Sequence, residues 1–139
     1  MAEATQKKLQ CVIVTPETTV LDQPVEFVAV PLYDGELGVL PGRSPVVARL
    51  GYGELRATTG STTSRYFIDG GFLQVRGDVV SVLTSRAVPA ERVDPAAART
   101  DLHKANEQVP TTLEGFEAKI ISLSRARGQL EVARRAGKS

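Results

Sequence analysis

Side chains able to do covalent or metal chemistry are sparse in this chain of 139 residues. His103 is the only histidine and Cys11 the only cysteine, so no multi-cysteine metal site and no internal disulfide can form. His103 falls in the polar part of a predicted helix, with no second histidine or cysteine to partner it, and reads as a surface residue. Cys11 sits in the alternating run Leu9-Gln10-Cys11-Val12-Ile13-Val14. There it shares a face with Leu9 and Ile13, which is the pattern of core packing. No GxxxxGK[ST] phosphate loop occurs and no GxGxxG follows a strand; Gly51-Tyr52-Gly53 lacks the rest of that context. No catalytic residue, cofactor or metal is expected, and the chain reads as a binding or mechanical part.

The chemistry that remains is charge pairing, concentrated in two places. The first is Val30 to Val47, VPLYDGELGVLPGRSPVV. Gly35-Glu36-Leu37-Gly38 predicts a tight bend carrying one acid. Pro41-Gly42 predicts a turn, proline supplying φ near −65° and glycine the positive φ of a type II geometry. Arg43 and Ser44 follow on its far side. Local chemistry alone supports a structural corner and a contact surface equally. The second place is the end of the chain, where Arg125, Arg127, Arg134, Arg135 and Lys138 cluster with only Glu131 for compensation. That cluster reads either as a solvated helix end aided by the macrodipole or as a docking surface for an acidic segment.

Composition narrows the classes further. The net charge of +1 offers no field to recruit nucleic acid or an anionic membrane. Aromatic residues make up 5% and tryptophan is absent, which argues against a stacking platform and for an aliphatic core. Residues 1–90 carry eight basic and nine acidic side chains, whereas residues 91–139 carry nine and seven, so the basic excess lies late. The N-terminal MAEATQKK lacks both an apolar signal core and an Arg-rich transit pattern. No apolar run approaches the roughly 18 residues that span a bilayer. A soluble compartment and no direct membrane insertion are expected.

The elements that must position these charges follow two grammars. From Leu9 to about Val88, short β-type runs alternate with turn residues: Asp22-Gln23-Pro24, Gly51-Tyr52-Gly53, Gly60-Ser61, Asp69-Gly70-Gly71 and Gly77-Asp78. About ten short strands joined in this way predict a β-sandwich or flattened barrel. Arg76-Gly77-Asp78 spells an integrin-binding tripeptide, but a hairpin turn suffices to explain it.

After Val88-Pro89 the pattern turns helical. Asp94 and Pro95 form an N-cap with proline at the first helical position, predicting a helix from Pro95 to about Gln108 with a small-residue stripe of Ala98, Leu102 and Ala105. Val109-Pro110 ends it. Thr111 or Thr112 caps a second helix whose predicted apolar seam is Leu113, Phe116, Ile120, Leu123 and Leu130. The two helices are expected to form an antiparallel hairpin. Gly128 inside the second costs about 1 kcal/mol relative to alanine, which marks the hairpin as weakly stable and as a candidate mobile element. The fold class is thus α+β, with a sandwich over residues 1–89 and a helical hairpin over 90–139.

The order of motifs resembles one family closely, the epsilon subunit of F-type ATP synthases, called delta in mitochondria. The matching stretches are VTPE at Val14 to Glu17, VEFVAVP at Val25 to Pro31, DGELGVLPGRSPVV at Asp34 to Val47 and GYGELR at Gly51 to Arg56. IDGGFLQV at Ile68 to Val75, VVSVLTSRA at Val79 to Ala87 and VDPAAA at Val93 to Ala98 continue the match. The resemblance implies a non-catalytic rotor subunit joining the gamma subunit to the ring of c subunits in a proton- or sodium-translocating complex. It implies a peripheral position at the cytoplasmic face of a bacterial plasma membrane. It assigns Glu36 to the ring side, and Arg43, Ser44 and Pro45 to gamma. Arg43 stands where the family commonly has the histidine of GHAP.

The hairpin of the family can extend toward the catalytic alpha and beta subunits and restrain ATP hydrolysis, which makes Arg125, Arg127, Arg134 and Arg135 the candidates for an acidic partner. Some bacterial members bind ATP through [IL]-D-x-x-R-A. Here Ala97 stands in place of the arginine, so no ATP sensor is expected. The alternative from another class is a stand-alone β-sandwich ligand-binding module with a helical tail, which would need a polar or aromatic concave site.

Overall fold

The computed structural model describes residues 8–137; residues 1–7 and 138–139, Lys138 among them, lie outside the described part. Eight strands are followed by two helices. The strands are β1 (Leu9–Val14), β2 (Thr19–Val25), β3 (Phe27–Leu32), β4 (Gly35–Val39), β5 (Val46–Thr59), β6 (Thr62–Arg76), β7 (Val79–Leu83) and β8 (Ala87–Pro89). A single 3-10 turn, Ala90–Arg92, leads to α1 (Pro95–Glu107) and α2 (Leu113–Arg135). The strands run β2-β1-β7-β6-β5-β3-β4 in one continuous sheet, with β8 added to β6. All pairings are antiparallel except β1 with β7.

Eight strands replace the expected ten or so because two glycine-rich segments that read as turns lie inside strands. Gly51-Tyr52-Gly53 belongs to β5, of 14 residues, and Asp69-Gly70-Gly71 to β6, of 15. The two strands pair along their length, Leu50 opposite Gly71 and Tyr52 opposite Asp69. At this crossing the core-facing positions change parity, from Ala48 and Leu50 to Leu55 and Ala57 in β5, and from Tyr66 and Ile68 to Leu73 and Val75 in β6. The glycines allow the change. Gly71 has φ of 112°, and a Cβ there would lie 1.9 Å from the Leu83 carbonyl oxygen, so neither the conformation nor the space admits a side chain.

The core inside the folded sheet is aliphatic. Leu9, Cys11, Ile13, Val25, Val28, Val30, Leu55, Ile68, Leu73 and Val82 are among its fully buried members. Each such aliphatic side chain contributes about 1.5–3 kcal/mol on burial. Burial, followed by the charge of Asp22, pushes the Cys11 thiol up to about 12, which fits the packing role.

Two further segments differ from their expected local structure. Asp22-Gln23-Pro24 does not interrupt a strand; β2 runs through it, and its place at the sheet edge leaves Pro24 with no ladder bond to donate. The bend expected at Gly35 to Gly38 lies two residues earlier, at Tyr33-Asp34. Gly35–Val39 is instead the other edge strand, with Glu36 opposite Pro31.

The helices begin as their caps dictate. The Asp94 carboxylate accepts from the Ala96 and Ala97 amides at 3.0 and 3.3 Å, and Thr112 Oγ1 accepts from the Gly115 amide at 3.0 Å. Lys119 Nζ donates to the Gln108 carbonyl at 2.8 Å, tying α2 to the end of α1. Ala98 and Ala105 are buried, as their spacing requires.

The expected seam of α2 is not the buried one. Leu113, Phe116 and Ile120 are exposed and Leu123 and Leu130 half-buried, whereas Ala126, Val132 and Ala133 are buried. The reason is where α2 touches the sheet. Its second half docks beside β5 and β6 through a small cluster of Phe67, Ala90, Val93, Val132 and Ala133, and a close approach there favours small residues over leucines.

Candidate functional site

The strand alternation that buries Leu55 and Ala57 turns Glu54 and Arg56 to the opposite face of β5, under the end of α2. There the Glu54 side chain is 3% exposed, and its Oε1 accepts from three arginines. Arg65 Nη1 lies at 3.1 Å, Arg135 Nη1 at 3.2 Å and Arg56 Nη1 at 3.4 Å. Its Oε2 is buried with no hydrogen-bond partner among the described residues.

Arg56 reaches outward as well, its Nη1 and Nη2 donating to Glu36 Oε2 and Oε1 at 3.1 and 3.3 Å. Burial opposes the Arg56 charge, but the hydrogen bonds to Glu36 and then Glu54 outweigh it and raise the guanidinium pKa. Arg135 Nε in turn donates to Glu131 at 3.1 Å, and Arg134 Nε to the same carboxylate at 2.9 Å. One unbroken series of ion pairs therefore runs Glu36, Arg56, Glu54, Arg135, Glu131, Arg134, from an edge strand to the end of the hairpin.

A second latch lies a few turns earlier on α2. Arg125 Nε donates to Asp69 Oδ1 at 2.8 Å, with the Asp69 side chain 9% exposed, and the same guanidinium sits 5.6 Å from the Tyr52 ring centroid. The two latches differ in what their opening leaves behind. Without Arg135, Glu54 keeps Arg56 and Arg65. Asp69 has no other cation within ion-pair distance among the described residues, so opening it exposes the cost of an unpaired, nearly buried carboxylate.

Between the latches, Gly128 lies against β5. A Cβ there would meet the Tyr52 carbonyl oxygen at 2.4 Å and the Phe67 ring at 3.2 Å. The glycine that weakens the helix is the one that lets it dock.

The residues singled out in the sequence thus fall in three places. Glu36 is on β4, tied to Arg56. Arg43, Ser44 and Pro45 form the exposed segment before β5, beyond the Pro41-Gly42 turn, where Gly42 has φ of 87°. That turn is held by Asp78, whose carboxylate accepts from the Gly42 amide at 3.2 Å. The aspartate of the Arg-Gly-Asp tripeptide therefore has a structural task.

Of the late arginines, Arg127 is exposed and makes no ion pair among the described residues, while Arg125, Arg134 and Arg135 are paired. Glu131 is accordingly not their sole compensation: Asp69 and Glu54 serve from the sheet. Neither acid was singled out from the sequence. The usable signal was the parity of β5, which places Glu54 and Arg56 on the face opposite Leu55.

A cavity of about 690 Å³ opens between the first half of α2 and the sheet, lined by Leu32, Tyr33, Arg49, Tyr52, Glu117 and Ile120 among others. Arg49 stacks over Tyr33 at 4.5 Å. Among the described residues, no group of three or more His, Cys, Asp or Glu side chains is placed to hold a metal, and no helix is long and apolar enough to cross a membrane. His103 is exposed and lies 3.4 Å from Glu107 on the same helix.

A sandwich with a helical hairpin held on it by ion pairs defines a class of protein built around contact surfaces. Residues 8–90 match the family described as ATP synthase, Delta/Epsilon chain, beta-sandwich domain, and the chain belongs to that family. It is 50% identical over 126 residues to the ATP synthase epsilon chain of Rhodopirellula baltica, covering 91% of this chain and 98% of that one. The epsilon chain of Carboxydothermus hydrogenoformans is 37% identical, over 73% of this chain and 76% of the other. Among solved structures, a chain of the Euglena gracilis mitochondrial ATP synthase, in an assembly described as OSCP/F1/c-ring, superposes with a TM-score of 0.78 at 25% identity. That match covers 94% of this chain and 81% of that one.

Proposed function

We propose that this chain is the non-catalytic epsilon-type subunit of the central stalk of an F-type ATP synthase. Residues 1–89 bind the rotor and residues 90–139 regulate. The sandwich joins gamma to the c-subunit ring, and the hairpin restrains ATP hydrolysis by reaching the catalytic alpha and beta subunits. The complex stands at the cytoplasmic face of a bacterial plasma membrane, with this subunit peripheral.

The observation that carries this reading is the mode of docking. The hairpin rests on a small apolar cluster and two ion-pair latches, while Leu113, Phe116 and Ile120 on the same helix stay exposed. A helix held in this way can be released, and its unburied stripe offers a second surface to lie against another chain.

Within this reading, Arg43, Ser44 and Pro45 approach gamma. Their neighbourhood supports it: Val47, Phe72, Val79 and Leu83 make an exposed apolar face on β5, β6 and β7 beside Pro45. Arg43 in place of the family's usual histidine makes that contact charge-assisted. Glu36 faces the ring, and Arg125, Arg127, Arg134 and Arg135 are the residues presented to an acidic segment when the hairpin extends.

The decisive experiment adds the full chain, or a chain ending at Pro89, to an epsilon-free catalytic complex. The expected result is that both bind gamma and only the full chain lowers the ATPase rate. A full chain that neither binds gamma nor changes that rate would refute the proposal.

A further inference from the structure

We infer that the Arg56–Glu54 pair couples the two ends of the ion-pair series, so that engaging Glu36 with an outside cation loosens the hairpin, and releasing the hairpin frees Glu36. Arg56 divides its guanidinium between Glu36, which is exposed, and Glu54, which is buried. It is bidentate to Glu36 but reaches Glu54 only through Nη1 at 3.4 Å, the longest of the three contacts to that oxygen.

Glu54 also holds a vacant acceptor, the buried Oε2. A buried carboxylate oxygen without a donor is costly, so Arg56, once relieved of Glu36, is drawn inward to it. Its positive charge then rests closer to Arg135, which shares Glu54 from the hairpin side. Like charges crowded on one carboxylate repel, and Arg135 is the one that can leave, because Glu54 remains paired without it.

The series works in reverse by linkage, since a coupling free energy is the same read from either end. When the hairpin departs with Arg135, Glu54 loses one of its three donors and draws Arg56 toward itself, and Glu36 is left available. Glu36, Glu54, Glu131 and Arg135 line one crevice of about 260 Å³ between β5 and α2, so the two ends of the series lie close together. Only the use of this coupling in a rotor rests on the proposed function; the coupling itself belongs to the isolated chain and stands or falls without it.

The test is amide hydrogen exchange on the full chain, reading Val132 and Ala133 in α2 against Leu73 and Val75 in the sheet. Glu36→Gln is expected to lower the protection of Val132 and Ala133 about two- to five-fold, the scale of an exposed charge pair, while the sheet amides keep theirs. In an Arg56→Gln background the same Glu36→Gln change is expected to have no effect. A further cycle combining Glu36→Gln with Arg135→Ala should be less than additive, because the second change removes the group on which the first acts. The inference is overturned if Glu36→Gln leaves α2 protection unchanged, lowers sheet and helix protection equally, or acts as strongly when Arg56 is absent.

Discussion

Gly128 of the second helix faces the Tyr52 carbonyl so closely that a Cβ would stand 2.4 Å from its oxygen. Helix propensity and docking therefore pull in opposite directions at this position. Gly128→Ala favours the helix by about 1 kcal/mol yet collides with main chain that cannot swing aside. The expected outcome is a hairpin that keeps its helicity by circular dichroism but loses its seat on the sheet, with Phe67 and Val132 becoming accessible. Retained protection of the Val132 amide in this variant would show that the sheet yields instead.

That position also marks where the sequence is legible and where it is not. The caps at Asp94 and Thr112 follow from local spacing and are as expected, and of the stripe Ala98, Leu102 and Ala105 the two alanines are buried and Leu102 half-buried. The parity change in β5 and β6 could not be read, since glycines that make a turn and glycines that let a long strand bend carry the same local signal. The seam of α2 misled for a related reason: periodicity finds the largest apolar residues, whereas close approach to the sheet selects Gly128, Val132 and Ala133. Ion pairs between residues more than fifty positions apart, such as Arg125 with Asp69, leave no local signal at all.

The two latches should differ in strength. Arg125→Ala leaves Asp69 nearly buried and unpaired, a loss of roughly 1.5–3 kcal/mol for a hydrogen bond to a charged group. Arg135→Ala leaves Glu54 with Arg56 and Arg65 and should cost below about 1 kcal/mol. Hydrogen exchange of the α2 amides ranks them directly. Equal losses, or a larger one for Arg135→Ala, would contradict the assignment of Asp69 as the stronger anchor.

Arg134 and Arg135 together serve as a test of the acidic partner. Replacing both with alanine is expected to weaken inhibition of ATP hydrolysis more at low salt than at high salt, because screening already diminishes exposed charges when salt is high. Arg135→Ala alone also loosens the docked state, so its effect on inhibition should be smaller than that of Arg134→Ala. An inhibition constant unchanged at low salt in the double variant removes both residues from the proposal.

Glu131 supplies a pH dependence. The Arg134 hydrogen bond, joined by that of Arg135, holds its carboxyl at about 2 instead of the ordinary 4.5. The folded chain therefore binds fewer protons here than the unfolded one between those values, and whatever this group contributes is complete above pH 4.5 and lost as pH falls toward 2. A carbon-detected titration of Glu131 should give a midpoint near 2 that climbs toward 4.5 in Arg134→Ala. Since both partners lie on α2, the midpoint should survive undocking by Gly128→Ala, and a large rise there would mean that the pairing depends on the sheet.

A chain ending at Pro89 should fold by itself. It retains all eight strands, including β8, whose Ala87, Val88 and Pro89 pair with Ile68, Phe67 and Tyr66, and it keeps every member of the aliphatic core within the sheet. What it loses is the cover over Phe67, together with Ala90, Val93, Val132 and Ala133. The expected melt is single and cooperative, at a lower temperature than that of the full chain. Increased binding of an apolar dye at the uncovered Phe67 and Tyr52 should accompany it. Broad, non-cooperative melting would mean that the sandwich depends on the hairpin for its core, and a hairpin so required could not leave the sheet to regulate anything.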